Sequence, residues 1–168
     1  HMDPVANFTL SDIDSGSGHL RFRFLNRDIL VDTHTRCLME KRDQIWEKAA
    51  LPLLELTVLE YFSRVDRLYP LGREMVSTDD LSDAFYFSGR SRLKKAALLA
   101  RYGEDPNGFA TAGRYLDGQP EQMGDVAFRL NPFPRIPLYY LLWLETGEFP
   151  PRISILFDRS IESALPSP

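Results

Sequence analysis

The sequence predicts a single α+β domain in which an antiparallel sheet of about four to six strands carries helices packed on it. Three observations lead there. Residues 138–144 hold no charged side chain and are apolar or aromatic throughout. An extended chain there has two apolar faces, as a central strand covered on both sides does. Period-two alternation recurs towards both ends of the chain, at Leu20, Phe22 and Phe24 and again at Ile153, Ile155 and Phe157. Between them, residues 51–69 repeat apolar positions at helical spacing. Strands at both ends with helices between give the α+β class.

The composition is that of an ordinary globular chain. Its 168 residues are 43% hydrophobic and 26% charged, enough to bury a core without disulfides or a structural metal. A net charge of -4 argues against a general nucleic-acid binder, which carries a basic surface. No apolar run approaches the roughly 20 residues that span a bilayer, so no membrane partner is expected. The single cysteine, Cys37, can close no internal disulfide and cannot build a multi-cysteine metal or iron–sulfur site. The cytoplasm is the expected compartment, and no cofactor is predicted. His1-Met2 reads as a cloning scar, and residues 1–18 as that scar plus a flexible lead-in ending in SGSG. Residues 19–166 form the expected domain.

Taken in order, residues 19–25 alternate Leu20, Phe22 and Phe24 with Arg21 and Arg23, a half-buried strand. A turn at Asn26-Arg27-Asp28 returns the chain as a hairpin through residues 29–31. Residues 33–50 show no clear period. In residues 51–69, Pro52 fits the first helical position and Pro70 ends the helix. Residues 77–80 can cap a short turn that includes Leu81. Ser91 can cap a helix reaching Tyr102 with Gly103 as its stop. Asp105-Pro106 starts another, which Asp117-Gly118 ends. Val126, Phe128 and Leu130 alternate as a strand, and three prolines make residues 131–137 an edge or connecting segment. The central strand and residues 153–157 then form an antiparallel hairpin, after which Asp158 caps a brief helical turn.

Gly124-Asp125-Val126-Ala127-Phe128, Phe133-Pro134-Arg135-Ile136-Pro137-Leu138, Leu142-Trp143, Glu148-Phe149-Pro150-Pro151 and Ile155-Leu156-Phe157-Asp158 follow in that order. With Pro70-Leu71-Gly72 and the helix before it, they resemble a prokaryotic domain family of unknown function. Members of that family often sit beside iron–sulfur modules in anaerobes. The resemblance covers roughly residues 20–166 and implies an accessory role beside redox or cofactor-handling proteins. Glu145-Thr146-Gly147-Glu148 stands where the family has Gly-Asp-Glu-Glu, so the resemblance assigns these acidic residues no role.

Four constellations bear chemistry. Trp143 and Tyr140, with Tyr139 and Phe149, can wall a planar ligand, although aromatic strands more often pack a core or a dimer contact. Glu145, Glu148 and Asp158, with Asp125, offer acid–base or hard-cation chemistry if they converge; solvated turn acids are the plainer reading. Arg90, Ser91 and Arg92, with Lys94 and Lys95, can receive an anion at a helix N-terminus, though they match no phosphate-loop pattern. His34 and Cys37 would share a face on a helix and could each ligate a metal, but a buried cysteine is commoner. No catalytic signature is present. The expected function is therefore a non-enzymatic binding or accessory module with a protein partner. The alternative is an enzyme or small-molecule sensor with a pocket beside Trp143 and Glu148. A homodimer covering an apolar sheet face is a further expectation.

Overall fold

The computed structural model describes residues 13–14, 18–64, 71–72, 74–82, 84 and 93–164. Two antiparallel sheets and four α-helices make up the described fold. The class is α+β, with two five-stranded sheets where the pattern suggested one.

The first sheet runs β1 (Ile13–Asp14), β2 (His19–Phe24), β3 (Arg27–Asp32), β4 (Cys37–Arg42) and β5 (Ile45–Lys48), each strand pairing with the next. The β2–β3 hairpin turns at Leu25-Asn26, with Phe24 opposite Arg27, just before the expected turn. Strands β4 and β5 come from the segment without a clear period. They join at Asp43-Gln44, where both φ angles are positive, 46° and 70°. That backbone suits a two-residue hairpin, which Asn-Gly usually announces in sequence.

Helix α1 (Pro52–Arg64) lies against this sheet. Its Leu54, Val58 and Tyr61 pack with Phe22, Ile29 and Leu38 from the strands. Residues 65–69 of the expected helix fall outside the described residues. Further on come β6 (Met75–Val76) and a single 3-10 turn at Thr78–Asp80, held by a reciprocal Ser77–Asp80 cap.

The second sheet has the order β6, β10 (Arg152–Asp158), β9 (Ile136–Trp143), β8 (Val126–Phe133) and β7 (Gln119–Glu121). The charge-free run is its central strand, as both apolar faces imply. Residues 131–137 correct an expectation. Instead of forming an edge or connecting segment, strands β8 and β9 continue through them and turn at Pro134-Arg135, where Arg135 has φ 59°. The pairing register shifts between Leu130 and Phe133. An irregularity there relieves Pro132 of the ladder bond it cannot donate.

Helices α2 (Lys95–Tyr102) and α3 (Pro106–Tyr115) cover one face of this sheet. Asp105 caps α3 by accepting from the Gly108 amide at 2.8 Å, with Pro106 in the first position as expected. A Cβ at Gly113 would stand 2.5 Å from Phe128, so glycine is what lets α3 lie this close to β8. The left-handed residue that stops α3 is Asp117 (φ 59°), not Gly118. The short α4 (Ile161–Ala164) follows Asp158, whose carboxylate accepts from the Ser160 amide at 3.0 Å.

Tyr61 is fully buried at the junction of the two sheets. Its ring stacks on Phe133 at 4.6 Å, and its hydroxyl donates to the Pro134 carbonyl at 3.1 Å. Tyr61→Ala should cost about 3–5 kcal/mol in urea unfolding, and Tyr61→Phe about 1 kcal/mol. Burial pushes the Tyr61 hydroxyl up from 10.0 to about 12. The folded state thus keeps a proton that the unfolded chain releases. Stability is complete below pH 10 and falls as pH rises towards 12, a loss that Tyr61→Phe should abolish.

Candidate functional site

A concave surface lies at one end of the first sheet. In β4, Leu38 and Glu40 point to the same face, and Glu40 stands directly opposite Ile29 on β3. A carboxylate in that row faces the core side, and Glu40 is 6% exposed. Two arginines make its burial tolerable. Arg27, at the start of β3, reaches Oε1 at 3.2 Å, while Arg42, two residues on from Glu40, meets Oε2 through Nη2 at 2.7 Å and Nε at 3.2 Å. A buried carboxylate needs such charge-assisted partners to offset its lost hydration. Arg42 is in turn held above the ordinary guanidinium value, chiefly by its hydrogen bond to Glu40.

Around this cluster opens a cleft of about 850 Å³. One wall is the β2–β3 turn with Phe24 and Leu25. Another is the entry to α1, from Ala50 to Leu54, and the end of α3 adds Tyr115 and Leu116. Helix α1 begins here, its first bond running from the Glu55 amide to the Leu51 carbonyl at 3.1 Å. The positive end of its dipole therefore adjoins the cleft. The two guanidinium groups face the Glu40 carboxylate, while Glu47, opposite Glu40 on β5, also acts on Arg42 and Lys41 lines the same cleft. Both arginine side chains remain partly open to water, 44% and 59% exposed. With five N–H donors each, they keep donors beyond those given to Glu40. The mouth is rimmed by strongly exposed Leu53 and Tyr115.

Those of the sequence-derived residues that are described do not line this cleft. Tyr140 lies on the helix-covered face of its sheet, stacked on Phe128 at 5.6 Å, and burial raises its hydroxyl pKa. Trp143 is three residues on, so the two-residue period turns it to the opposite face. There the Arg152 guanidinium sits 4.7 Å from its ring. A common wall from Tyr140 and Trp143 is excluded by that alternation. Glu145 and Glu148 are exposed in the β9–β10 turn, which Thr146 and Phe149 close with reciprocal backbone bonds. Asp125 does reach that end, accepting from the Leu144 amide at 2.7 Å. Asp158 is at the other end of β10, roughly 20 Å away at strand rise, buried and accepting from the Gly72 amide at 3.1 Å. Asp158 therefore does not converge with Glu145, Glu148 and Asp125.

Arg90, Ser91 and Arg92 lie outside the described residues. His34 sits in the β3–β4 turn and Cys37 opens β4, so no helix face unites them; the Cys37 thiol donates to the Thr35 carbonyl at 3.4 Å. Among the described residues no group of three or more His, Cys, Asp or Glu is placed to hold a metal ion. No helix among them is long and apolar enough to cross a membrane.

Sequence reasoning missed Arg27, Glu40 and Arg42. The signal was present in Leu38-Met39-Glu40-Lys41-Arg42, where a strand register sets Leu38, Glu40 and Arg42 on one face. Without the β4 assignment that register could not be drawn. A family model described as a domain of unknown function (DUF3786) matches residues 5–168. No curated protein and no solved structure matches the chain.

Removing the Glu40 carboxylate leaves two guanidinium groups facing each other. Glu40→Ala should destabilise the fold by about 2–3 kcal/mol. Arg42→Ala should cost less than Glu40→Ala, because its side chain is 59% exposed and Arg27 remains. Guanidinium chloride titrations of the two variants check the ordering.

Proposed function

The chain belongs to the DUF3786 family, and we propose that it is a non-enzymatic binding module whose working surface is the Arg27–Glu40–Arg42 cleft. The observation that carries this reading is the pairing of uncommitted guanidinium donors with an exposed apolar rim in one open concavity. A ligand that suits it presents a carboxylate beside a bulky apolar group. A segment of a partner protein with Asp or Glu next to Leu or Phe has that chemistry, and the wide mouth favours such a segment over a small molecule enclosed on all sides. The carboxylate would extend the charge-assisted network that begins at Glu40, near the positive end of α1.

The wider setting of the proposal is an accessory protein in a prokaryotic cytoplasm, working beside redox or cofactor-handling proteins and needing no cofactor of its own. Supporting it are the resemblance to a family found beside iron–sulfur modules and the presence of a single cysteine. The alternative pocket beside Trp143 and Glu148 has less support, since Trp143 is stacked under Arg152 and Tyr140 faces away from it.

Selection of a displayed random-peptide library against the immobilised chain tests the reading. Enriched peptides should carry an acidic residue adjacent to an apolar one. Arg42→Ala or Leu53→Glu should weaken them by about tenfold or more, while Trp143→Ala should leave them unchanged. Peptides that ignore the cleft variants and are lost with Trp143→Ala would move the site to the alternative pocket.

A further inference from the structure

Helix α1 is apolar on two opposite sides. Leu54, Val58 and Tyr61 are buried against the first sheet. Leu53, Leu56 and Leu59 are 80%, 66% and 64% exposed. At 3.6 residues per turn the two sets point in nearly opposite directions. A helix with two apolar sides has two packing partners, and the described residues supply one of them.

The outer stripe has a symmetry of its own. Leu53, Leu56 and Leu59 are evenly spaced, so an antiparallel copy of the helix centred on Leu56 meets the same stripe. The charges flanking it are not symmetric along the helix. Glu60 lies towards the C-terminal end, its side chain 44% exposed although paired with Arg64. The N-terminal end adjoins Arg27 and Arg42. A parallel copy would set Glu60 beside Glu60. An antiparallel copy brings each Glu60 over Pro52 and the first turn of the other helix, at the mouth of its cleft.

We propose that the outer face of α1 pairs with the same face of a second copy of this chain, antiparallel about a two-fold axis at Leu56, seating Glu60 of each copy at the arginine cleft of the other. The proposal rests on the cleft reading above and names its occupant: Leu59-Glu60 is itself an acidic residue beside a leucine. The contact is isologous, so one favourable contact is made twice. Area points the same way. A thirteen-residue helix is about 20 Å long, too short for a helix pair alone to bury the roughly 800 Å² per partner of a standard interface. Seating Glu60 in the cleft extends the patch at both ends to Tyr115, which is 73% exposed. This places the dimer contact on α1 rather than on a sheet face.

Sedimentation velocity on the full chain tests the pairing. A dimer is expected at micromolar concentration. Leu56→Lys should give a folded monomer with an unchanged far-ultraviolet circular dichroism spectrum, and Glu60→Arg should raise the dissociation constant by about tenfold or more. In a Cys37→Ser background, Leu56→Cys should crosslink to itself under mild oxidation. Leu53→Cys and Leu59→Cys should each crosslink poorly alone but efficiently when mixed. A chain that stays monomeric at roughly hundreds of micromolar, or a dimer indifferent to Leu56→Lys, overturns the inference. If such a monomer still selects acidic peptides through Arg42, the cleft reading stands and only its occupant is wrong. A Leu56-dependent dimer indifferent to both Glu60→Arg and Arg42→Ala overturns the seating of Glu60 in the cleft.

Discussion

The contact between the two sheets is organised around one side chain. Phe133, at the tip of the β8–β9 hairpin, stacks on Tyr61 of α1 at 4.6 Å and on Phe22 of β2 at 5.8 Å, and lies 5.4 Å from Phe24. The second sheet thereby inserts its hairpin tip into the core of the first. Leu138 and Ile161 pack against both hydrophobic clusters and widen the bridge. Aromatic stacking of this kind adds specific geometry to burial. It fixes where α1 lies, and hence where its first turn opens beside Arg27 and Arg42. The cleft thus depends on a contact made at the opposite end of the helix.

Much of the architecture was legible because it obeys simple periods. The charge-free run at residues 138–144 became the central strand since no polar face was available for solvent. Asp105-Pro106 began a helix because a carboxylate acceptor and a residue with no amide to leave unpaired suit that position. The β4–β5 hairpin was hidden because its turn residues, Asp43 and Gln44, adopt left-handed backbone without glycine or asparagine. Pro132 and Pro137 misled in the other direction. Proline suggests a break, yet a register shift beside Pro132 lets both strands continue.

The candidate site was less legible for a related reason. Arg27, Glu40 and Arg42 come from two strands, and only their pairing brings them together. Local sequence shows three ordinary charged residues in unremarkable surroundings. The aromatic and acidic residues around Trp143 stood out by composition, but strand alternation separates Tyr140 from Trp143, and the length of β10 separates Glu148 from Asp158. Residue type drew attention to one end of the second sheet, whereas register built the concavity on the first.

Strand order also carries a kinetic meaning. In both sheets every pairing joins neighbours in sequence except one, β6 with β10. The rest are hairpins and meanders whose loops close at small entropic cost. Strand β6 has only two residues, and its attachment is completed by the Glu74 carbonyl, which accepts from the Arg159 amide, and by Asp158, which accepts from the Gly72 amide. These are contacts between distant parts of the chain, and they can form only once the local hairpins exist. The chain should then fold as two quickly formed meanders followed by a slower clasp. That clasp, a two-residue strand joined across a long stretch of sequence, is where native-state opening and hydrogen exchange should begin.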